Sequence, residues 1–234
     1  MSSEQLPLQF EFRANQTFAD YFPGNNGEVL AHLQNCIAGD GEPQIFIWGE
    51  RGLGKSHLLQ ACCHQAQSQG NSSFYFSLVK DNLPDPSLLI ELDNFDVVCF
   101  DNMDVIAGNR DWEIAFFNFF NQHRDQEHLL ILSAERAPND LGIVLPDLKT
   151  RLNWGLTLRL YPLADDTRVP ALIFKADLMG FEIPPQVGRF LLAHYDKDLS
   201  SLWELLAKLD KASLAAKRKL TIPFLKKILD EGLG

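Results

Sequence analysis

One glycine-rich stretch, GERGLGKS over Gly49–Ser56, constrains the fold of this chain more than any other part of the sequence. The apolar run QIFIW ends immediately before it, and apolar residues at helical spacing begin near Lys55. A glycine-rich loop between a strand and a helix matches the phosphate-loop pattern, whose backbone N–H groups bind phosphate. An ordinary glycine-rich turn with a chance Lys and Ser is the alternative, and it leaves the two matching flanks unexplained.

The residue types in this loop suit a polyphosphate bound with magnesium. Glycine adopts backbone conformations that turn successive N–H groups inward, and a helix N-terminus adds partial positive charge behind them. We expect Lys55 to reach the outer phosphates and the Ser56 hydroxyl to ligate Mg²⁺. The predicted nucleotide-binding residues of the loop are Gly49, Gly52, Leu53, Gly54, Lys55, Ser56 and His57.

Short apolar runs alternate with helix-like segments up to about Pro162. The runs that predict buried strands begin at Gln44, Ser73, Val97, Leu129 and Leu156. Helical spacing marks the segment after the loop and the stretch DWEIAFFNFFNQHRDQ. Strands connected by helices form a parallel sheet. The aromatic run of the second helix either packs on that sheet or lines a ligand pocket, and its helical period favours packing.

Beyond Pro162 the pattern is helical throughout. Segments such as PPQVGRFLLAHY and DLSSLWELLAKLDKASLAAKRK begin or end at Pro, Gly, Asp, Ser or Thr, as helices commonly do. The predicted fold class is therefore α/β, a parallel sheet with a phosphate loop, followed by a small all-helical domain. We place a tail at residues 1–15, the nucleotide-binding domain at 16–161 and the helical domain at 162–234.

The net charge and the cysteine content limit which partners and which cell compartment we expect for this protein. A net charge of −10 argues against a broad surface for nucleic acid, whose nonspecific affinity comes mainly from clustered Lys and Arg. The cysteines lack the spacing of a zinc or redox site, so we expect buried thiols at Cys36, Cys62, Cys63 and Cys99. No apolar run approaches the roughly 20 residues of a membrane helix. We expect a cytoplasmic protein without a membrane segment.

The stretch VVCFDNMD supplies a second part of the predicted site. Asp101 stands where an apolar strand ends, and after a phosphate loop such an Asp is placed to hold Mg²⁺. Asn102 follows it, and an amide can position water but cannot accept its proton, so we expect slow hydrolysis by the chain itself. Asp104 could act as the proton acceptor in place of Asn102. The alternation of side chains along a strand, however, does not direct Asp104 at the water that residue 102 would position.

These motifs together resemble the AAA+ nucleotide-binding module of the bacterial replication initiator DnaA, in which a helical lid follows the sheet. The resemblance runs from about Thr17 to the end of the chain and rests on QTFADYFPGNN, GERGLGKSHLLQA, VVCFDNMD, WEIAFFNFFN, LSAERAPNDL and LPDLKTRLNWGLTLRL. DnaA also has a large N-terminal region and a C-terminal helix-turn-helix domain. Without either, the outline here is similar to the Hda family of short DnaA homologues, whose role is regulatory inactivation of DnaA.

That resemblance implies a negative regulator of bacterial replication initiation. Its implied partners are DnaA and the DNA polymerase sliding clamp loaded on DNA, with DNA reached only through the clamp. It implies a bound nucleoside diphosphate such as ADP, with ATP as the alternative, and Mg²⁺ at Ser56 and Asp101. We therefore expect weak or no intrinsic ATPase and a role as activator of the DnaA ATPase. A further hypothesis is a homodimer that hides the surface presented to DnaA.

Arg151 in LPDLKTRLNWG occupies the place of an AAA+ arginine finger, according to the resemblance. Such a residue acts in trans and stabilises charge that develops on the phosphate transferred in a neighbouring subunit. Taken alone, an Arg near Trp154 is more often a solvated or stacking residue. The resemblance therefore assigns Arg151 a catalytic role on the nucleotide held by DnaA.

The tail carries QLPLQF, which is similar to sliding-clamp ligands. Such a peptide stays extended while its Gln and apolar side chains fill a polar niche and an apolar pocket. We assign clamp binding to Gln5, Leu6, Leu8 and Phe10, and either Leu8 or Phe10 fills the deep pocket. The alternative is a short edge strand that packs on the domain.

Other family positions transfer less directly. Glu135 stands where DnaA has a phosphate-sensing Asp, and Phe22 and Pro23 stand where AAA+ proteins hold the base. The lid sensor Arg of DnaA corresponds to Ser200, with Lys197 nearby, which favours a diphosphate-bound resting form. A basic cluster that includes Lys217, Arg218, Lys219, Lys226 and Lys227 either touches DNA beside the clamp or is a solvated helix end.

Two function classes compete with clamp-tethered regulation. An autonomous ATPase or helicase-loader-like factor would hydrolyse its own ATP, which Asn102 and Ser200 disfavour. A DNA-binding initiator would need a DNA-reading domain, which the acidic charge and the outline of the chain disfavour.

Overall fold

The computed structural model describes residues 16–194, 199–216, 221–223 and 225. They form two units, one of residues 16–21 and 26–161, the other of residues 22–25 and those from Pro162 onward. The first unit is α/β and the second is helical, so the predicted fold class is confirmed.

A parallel five-stranded sheet in the order β2-β3-β4-β1-β5 forms the centre of the first unit. The strands are β1 (Gln44–Trp48), β2 (Ser73–Ser77), β3 (Val97–Asp101), β4 (Leu129–Ala134) and β5 (Leu156–Arg159). All the apolar runs predicted as strands are therefore confirmed. Because the strands are parallel, their carboxyl ends share one edge of the sheet, and the phosphate loop leaves from this edge after β1.

Helices cover both faces of this sheet. They are α1 (Gly27–Ile37), α2 (Lys55–Ser68), α3 (Arg110–Asp125) and α4 (Pro146–Leu152), with short 3₁₀ segments between elements. Successive strand residues point to opposite faces, so Ile45 and Ile47 pack with α1 and α2, whereas Phe46 packs with α3 and α4. Helix α2 and helix α3 were predicted, whereas α1 and α4 were not.

The aromatic run of α3 packs on the sheet, as its period indicated. Trp112, Phe116, Phe119 and Phe120 are buried, and Ala115 is half-buried. The Phe116 ring meets Phe100 of β3 edge-on at a centroid distance of 5.1 Å. This aromatic face is therefore part of the hydrophobic core of the first unit.

The helical unit contains α5 (Asp165–Leu178), α6 (Pro185–His194) and α7 (Leu199–Ala216). It has its own apolar core, which includes Leu172, Ala176, Val187, Leu191, Leu202, Leu206 and Leu209. The helical segments predicted between Pro162 and Ala216 are thus present in the described residues, and the last one, TIPFLKKILDEG, lies largely outside them. All four cysteines are buried, as expected. Within the described ranges, no helix has both the length and the apolarity needed to cross a bilayer.

Candidate nucleotide-binding site

The phosphate loop is held closely against the segment that enters the first unit. Gly52 and Gly54 adopt left-handed backbone angles, with φ of 84° and 86°. A Cβ atom at Gly54 would lie 2.6 Å from Cε2 of Tyr21, so only glycine fits beneath this ring. The Tyr21 hydroxyl donates to the Leu53 carbonyl oxygen at 3.0 Å, and burial raises the pKa of Tyr21 to about 12. The neutral tyrosine therefore stabilises the loop conformation.

Lys55 begins α2 and is buried, with 7% of its surface exposed. Its Nζ donates to the carbonyl oxygens of Gly49 at 2.6 Å and Glu50 at 2.8 Å. Burial lowers the pKa of Lys55, and the carboxylates of Asp101, Glu135 and Asp104 act in the opposite direction. The predicted phosphate ligand thus lies among the acidic residues that end β3 and β4.

Asp101 is held by hydroxyl groups from both neighbouring strands. It is 1% exposed, and Ser133 of β4 donates to its Oδ1. Tyr75 of β2 donates to its Oδ2 at 3.0 Å. Burial and the adjacent Asp101 charge raise the pKa of Tyr75, so its hydroxyl remains a donor. Two strands therefore fix the carboxylate that we expect to face the metal.

The donor set fits a nucleotide-bound Mg²⁺ better than a metal held by protein alone. Ser56 and Asp101 offer hard oxygen atoms, and Mg²⁺ commonly combines one or two such ligands with phosphate oxygens and water. Among the described residues, no group of three or more His, Cys, Asp or Glu side chains could hold a metal ion.

The N-terminus of α2 leaves backbone N–H groups available to a phosphate. The first backbone hydrogen bond of this helix runs from the Leu58 N–H to the Gly54 oxygen at 3.0 Å. The N–H groups of the first turn are therefore directed out of the helix end.

Asn102 has a structural role in the position usually taken by a catalytic carboxylate. Its φ of 65° and ψ of 50° are left-handed, and Asn tolerates this region better than most residues. Its Nδ2 donates to Ser77 Oγ at 3.2 Å and to the Leu78 oxygen at 3.4 Å, which connects the ends of β3 and β2. Both the amide chemistry and these contacts make Asn102 unsuited to removing a proton from water.

Asp104 lies beside the residue that follows β4 and acts electrostatically on Lys55. The left-handed turn at Asn102 leads into a 3₁₀ segment, Met103–Ile106, that brings Asp104 back toward β4. There its Oδ2 accepts the Glu135 N–H at 2.8 Å. The Asp104 charge also acts on Lys55. Its orientation toward a hydrolytic water stays a prediction.

The remaining predicted nucleotide contacts are dispersed. The His57 Nε2 lies 2.7 Å from the Thr17 oxygen and, because a carbonyl only accepts, this nitrogen is the donor. His57 thus anchors the entry segment next to Tyr21, 5.5 Å away between ring centroids. Phe22 and Pro23 belong to the helical unit, where the Phe22 ring lies 5.6 Å from Phe174. Their role toward a base stays a prediction.

Arg151 lies in the last turn of α4 with its guanidinium 4.0 Å from the centre of the Trp154 ring. Gln44, the first residue of β1, donates from Nε2 to the Arg151 carbonyl oxygen at 3.2 Å. The phosphate loop instead follows Trp48, the last residue of β1, about 13 Å away along the strand at about 3.3 Å per residue. Arg151 is therefore beside the amino edge of the sheet, opposite its own phosphate loop.

Several predicted positions lie outside the described residues. These are Gln5, Leu6, Leu8, Phe10, Lys197, Lys217, Arg218, Lys219, Lys226 and Lys227. Ser200 belongs to α7, but its side chain is also outside the description.

Sequence reasoning missed Tyr75 and Ser133, which hold Asp101. The sequence does contain a signal for them, because Tyr75 and Ser133 stand near the carboxyl ends of predicted parallel strands. Those ends meet at one edge of the sheet. Strand order was the missing information, since β2 and β4 flank β3 only in the folded sheet.

A parallel sheet with a phosphate loop after β1, a buried Asp at the end of β3 and an additional helical unit define an AAA+ nucleotide-binding protein. The chain belongs to the bacterial DnaA ATPase domain family, whose model matches residues 12–159. A second family model, described as the lid domain of Hda, matches residues 165–229. The chain is thus a DnaA-related AAA+ protein with an Hda-type lid.

Solved DnaA structures share this fold. Domain III of the Thermotoga maritima replication initiation protein DnaA is 20% identical, with 94% of this chain and 98% of that chain covered and a TM-score of 0.77. A replication initiator DnaA bound to AMPPCP and single-stranded DNA is 21% identical over 88% of this chain and 69% of that chain, with a TM-score of 0.75. AMPPCP-bound DnaA from Aquifex aeolicus is 25% identical over 86% of this chain and 66% of that chain, with a TM-score of 0.70.

Proposed function

We propose that this protein is a negative regulator of replication initiation that stimulates hydrolysis of ATP bound to DnaA. The observation that carries the proposal is the geometry of Arg151. Its side chain is half-buried and rests on Trp154, and among the described residues no carboxylate forms an ion pair with it. A guanidinium that is positioned by an aromatic ring and keeps its charge unpaired can approach a phosphate on another molecule.

The position of Arg151 favours action in trans. The length of β1 separates it from the phosphate loop of the same chain, which exceeds the reach of one arginine side chain. The nucleotide on which Arg151 acts would therefore belong to a neighbouring AAA+ subunit. DnaA is the proposed neighbour because this chain shares its fold and family.

The chain would hold its own nucleotide as a structural ligand. Lys55, Ser56 and Asp101 suit a polyphosphate with Mg²⁺, and related DnaA structures contain the ATP analogue AMPPCP. Asn102 supplies no proton acceptor and its amide is engaged with β2, so turnover in this site would be slow. We propose ADP as the resting ligand.

A clamp-binding tail completes the proposed function. Gln5, Leu6, Leu8 and Phe10 have the residue types of an extended sliding-clamp ligand. Tethering to a clamp on DNA would raise the local concentration of Arg151 near DnaA. It would also explain how an acidic protein acts on DNA-bound machinery in the cytoplasm without a basic surface of its own.

The test measures turnover of ATP preloaded on a cognate DnaA, with clamp loaded on DNA. The unmodified chain should accelerate hydrolysis, and Arg151→Ala should remove about 10³-fold or more of that acceleration, as for other arginine fingers. Lys149→Ala is the matched control, since Lys149 is an exposed cation on the same helix. If the chain consumes ATP by itself and leaves DnaA unaffected, the autonomous ATPase is correct instead.

A second arm addresses the tail. Removal of residues 1–10 should reduce the stimulation measured with clamp to the level measured without clamp. The affinity for nucleotide should be unchanged. Equal stimulation with and without these residues would disprove clamp tethering and would leave the role of Arg151 open to the first arm.

A further inference from the structure

Glu113 of α3 is a buried charge that the nucleotide-binding site does not use. It is 1% exposed, and Trp112 and Phe116 of the same helix belong to the apolar core. Among the described residues, no Lys, Arg or His forms an ion pair with it. A buried carboxylate without a cation requires other donors, because its desolvation is otherwise costly.

Backbone amides from two separate loops provide those donors. Glu113 Oε2 accepts the N–H groups of Leu145 at 2.7 Å and Val144 at 3.0 Å. Oε1 accepts the N–H of Gly108 at 2.8 Å and is 3.1 Å from the Val144 nitrogen. One side chain therefore connects the start of α3 to the segment that leads into α4.

That segment sets the start of the helix that carries Arg151. Leu145 immediately precedes Pro146, the first residue of α4, and its own side chain forms no cap bond. The end of α4 is fixed separately, because Gln44 donates to the carbonyl oxygens of Arg151 at 3.2 Å and Leu152 at 3.4 Å. Glu113 and Gln44 thus hold the two ends of this short helix.

Gly108 extends the connection toward the nucleotide-binding site. It follows the 3₁₀ segment Met103–Ile106, which begins directly after Asp101 and Asn102. Through Glu113, the chain that leaves the end of β3 is therefore bonded to the chain that enters α4.

We propose that Glu113 is a positioning residue for the Arg151 finger, one that fixes the entry to α4 by accepting the amides of Val144 and Leu145. The inference rests on the proposed function of Arg151, and it adds a residue that acts through α4 without touching the nucleotide. Positioning matters because a displacement of about 1 Å can reduce a catalytic rate about 100-fold.

The first measurement uses hydrogen exchange and does not depend on activity. In the unmodified protein, the amides of Val144 and Leu145 should exchange slowly, although the Val144 side chain is 72% exposed. Glu113→Gln keeps the shape of the side chain but replaces one acceptor oxygen with a donor group, so exchange in residues 143–148 should accelerate. Asp111→Asn, an exposed charge in the same helical turn, is the control and should not change it. Fast exchange of both amides in the unmodified protein would overturn the proposal without any variant.

The second measurement is stimulated hydrolysis of DnaA-bound ATP at increasing concentrations of this chain. Glu113→Gln should lower the maximal rate about 10- to 100-fold while the half-saturating concentration changes little. Combining it with Arg151→Ala should give the rate of Arg151→Ala alone, since both changes remove the same interaction. A full maximal rate for Glu113→Gln, or an additional loss in the double variant, would overturn the proposal. Absence of stimulation by the unmodified chain would instead reject the proposed function.

Discussion

The two edges of the sheet hold their charged side chains in different ways. At the carboxyl edge, Lys55 and Asp101 are almost completely buried, and each is hydrogen-bonded to groups of the same unit. At the amino edge, Arg151 is half-buried and rests on an aromatic ring, without an ion pair among the described residues. Buried charges persist only when their hydrogen bonds are satisfied, which suits a ligand held permanently. A partly solvated guanidinium instead suits a partner that binds transiently.

The amino edge also has a cleft beside Trp154. Its volume is about 230 Å³, and Gln44, His123, Arg124 and Trp154 are among its lining residues. Arg124 adds a second guanidinium 5.3 Å from the centre of the Trp154 ring. The Arg124 and Arg151 guanidinium groups therefore both lie within cation–π distance of the Trp154 ring.

The largest expected effect concerns the carboxyl edge. Lys55→Ala should weaken nucleoside diphosphate binding about 10³-fold, because it removes the charge-assisted contact with the outer phosphates. Isothermal titration of ADP with Mg²⁺ measures this, with Lys149→Ala as a surface control. Stimulation by Arg151 should persist at saturating ADP if the nucleotide is a structural ligand. An unchanged affinity would show that the phosphate loop does not bind nucleotide through Lys55.

The amino edge should respond to pH through His123. Burial lowers the pKa of this histidine to about 4, and its Nε2 donates to the Leu129 oxygen at 3.3 Å. The unfolded chain has an ordinary histidine pKa near 6.5, so it binds more protons than the folded chain between these values. Its free energy of unfolding should therefore fall by about 3 kcal/mol as pH decreases from 6.5 to 4.

Urea unfolding across this pH range tests the assignment. His123→Gln should flatten the pH dependence, whereas His32→Gln, a change at an exposed histidine, should leave it intact. If the free energy of unfolding of the His123 variant depends on pH as in the unmodified protein, the titrating group is not His123.

The smallest expected effect separates the two hydroxyl groups that hold Asp101. Tyr75→Phe removes the bond to Oδ2 and leaves the bond from Ser133, so Mg²⁺-dependent nucleotide affinity should fall about fivefold, or about 1 kcal/mol. The comparison is with Tyr161→Phe, an exposed tyrosine whose hydroxyl has no partner among the described residues. Equal affinities for the two variants would show that Tyr75 does not orient Asp101.

Much of the fold was readable from local patterns. Each apolar run predicted as a strand is one, and the glycine-rich loop lies between β1 and α2. Helix α4 was missed because its seven residues are too short for a clear period, and its stability depends on burial of Leu148 and Leu152. Helix α1 has apolar residues at helical spacing and could have been recognised.

The candidate site was predicted less completely. Lys55 and Asp101 meet at the carboxyl edge because parallel strands end together, which the alternation of strands and helices indicates. The bond from the Glu135 N–H to Asp104 could not be read from the sequence, because side-chain alternation does not continue past the left-handed turn at Asn102. Glu113 was overlooked, although a charged residue three positions before Phe116 stands on the buried face of α3.

The sequence by itself determined the class of fold and the residue types of the phosphate site, because strand period, helix period and glycine placement act over a few neighbouring residues. Only the tertiary structure decided which groups hold Asp101, why Asn102 is tolerated and how α4 is fixed. Those contacts join residues from 25 positions apart, between Asn102 and Ser77, to 108 positions apart, between Gln44 and Leu152. Such pairs meet only after strand order and helix packing are established, and no local pattern encodes that order.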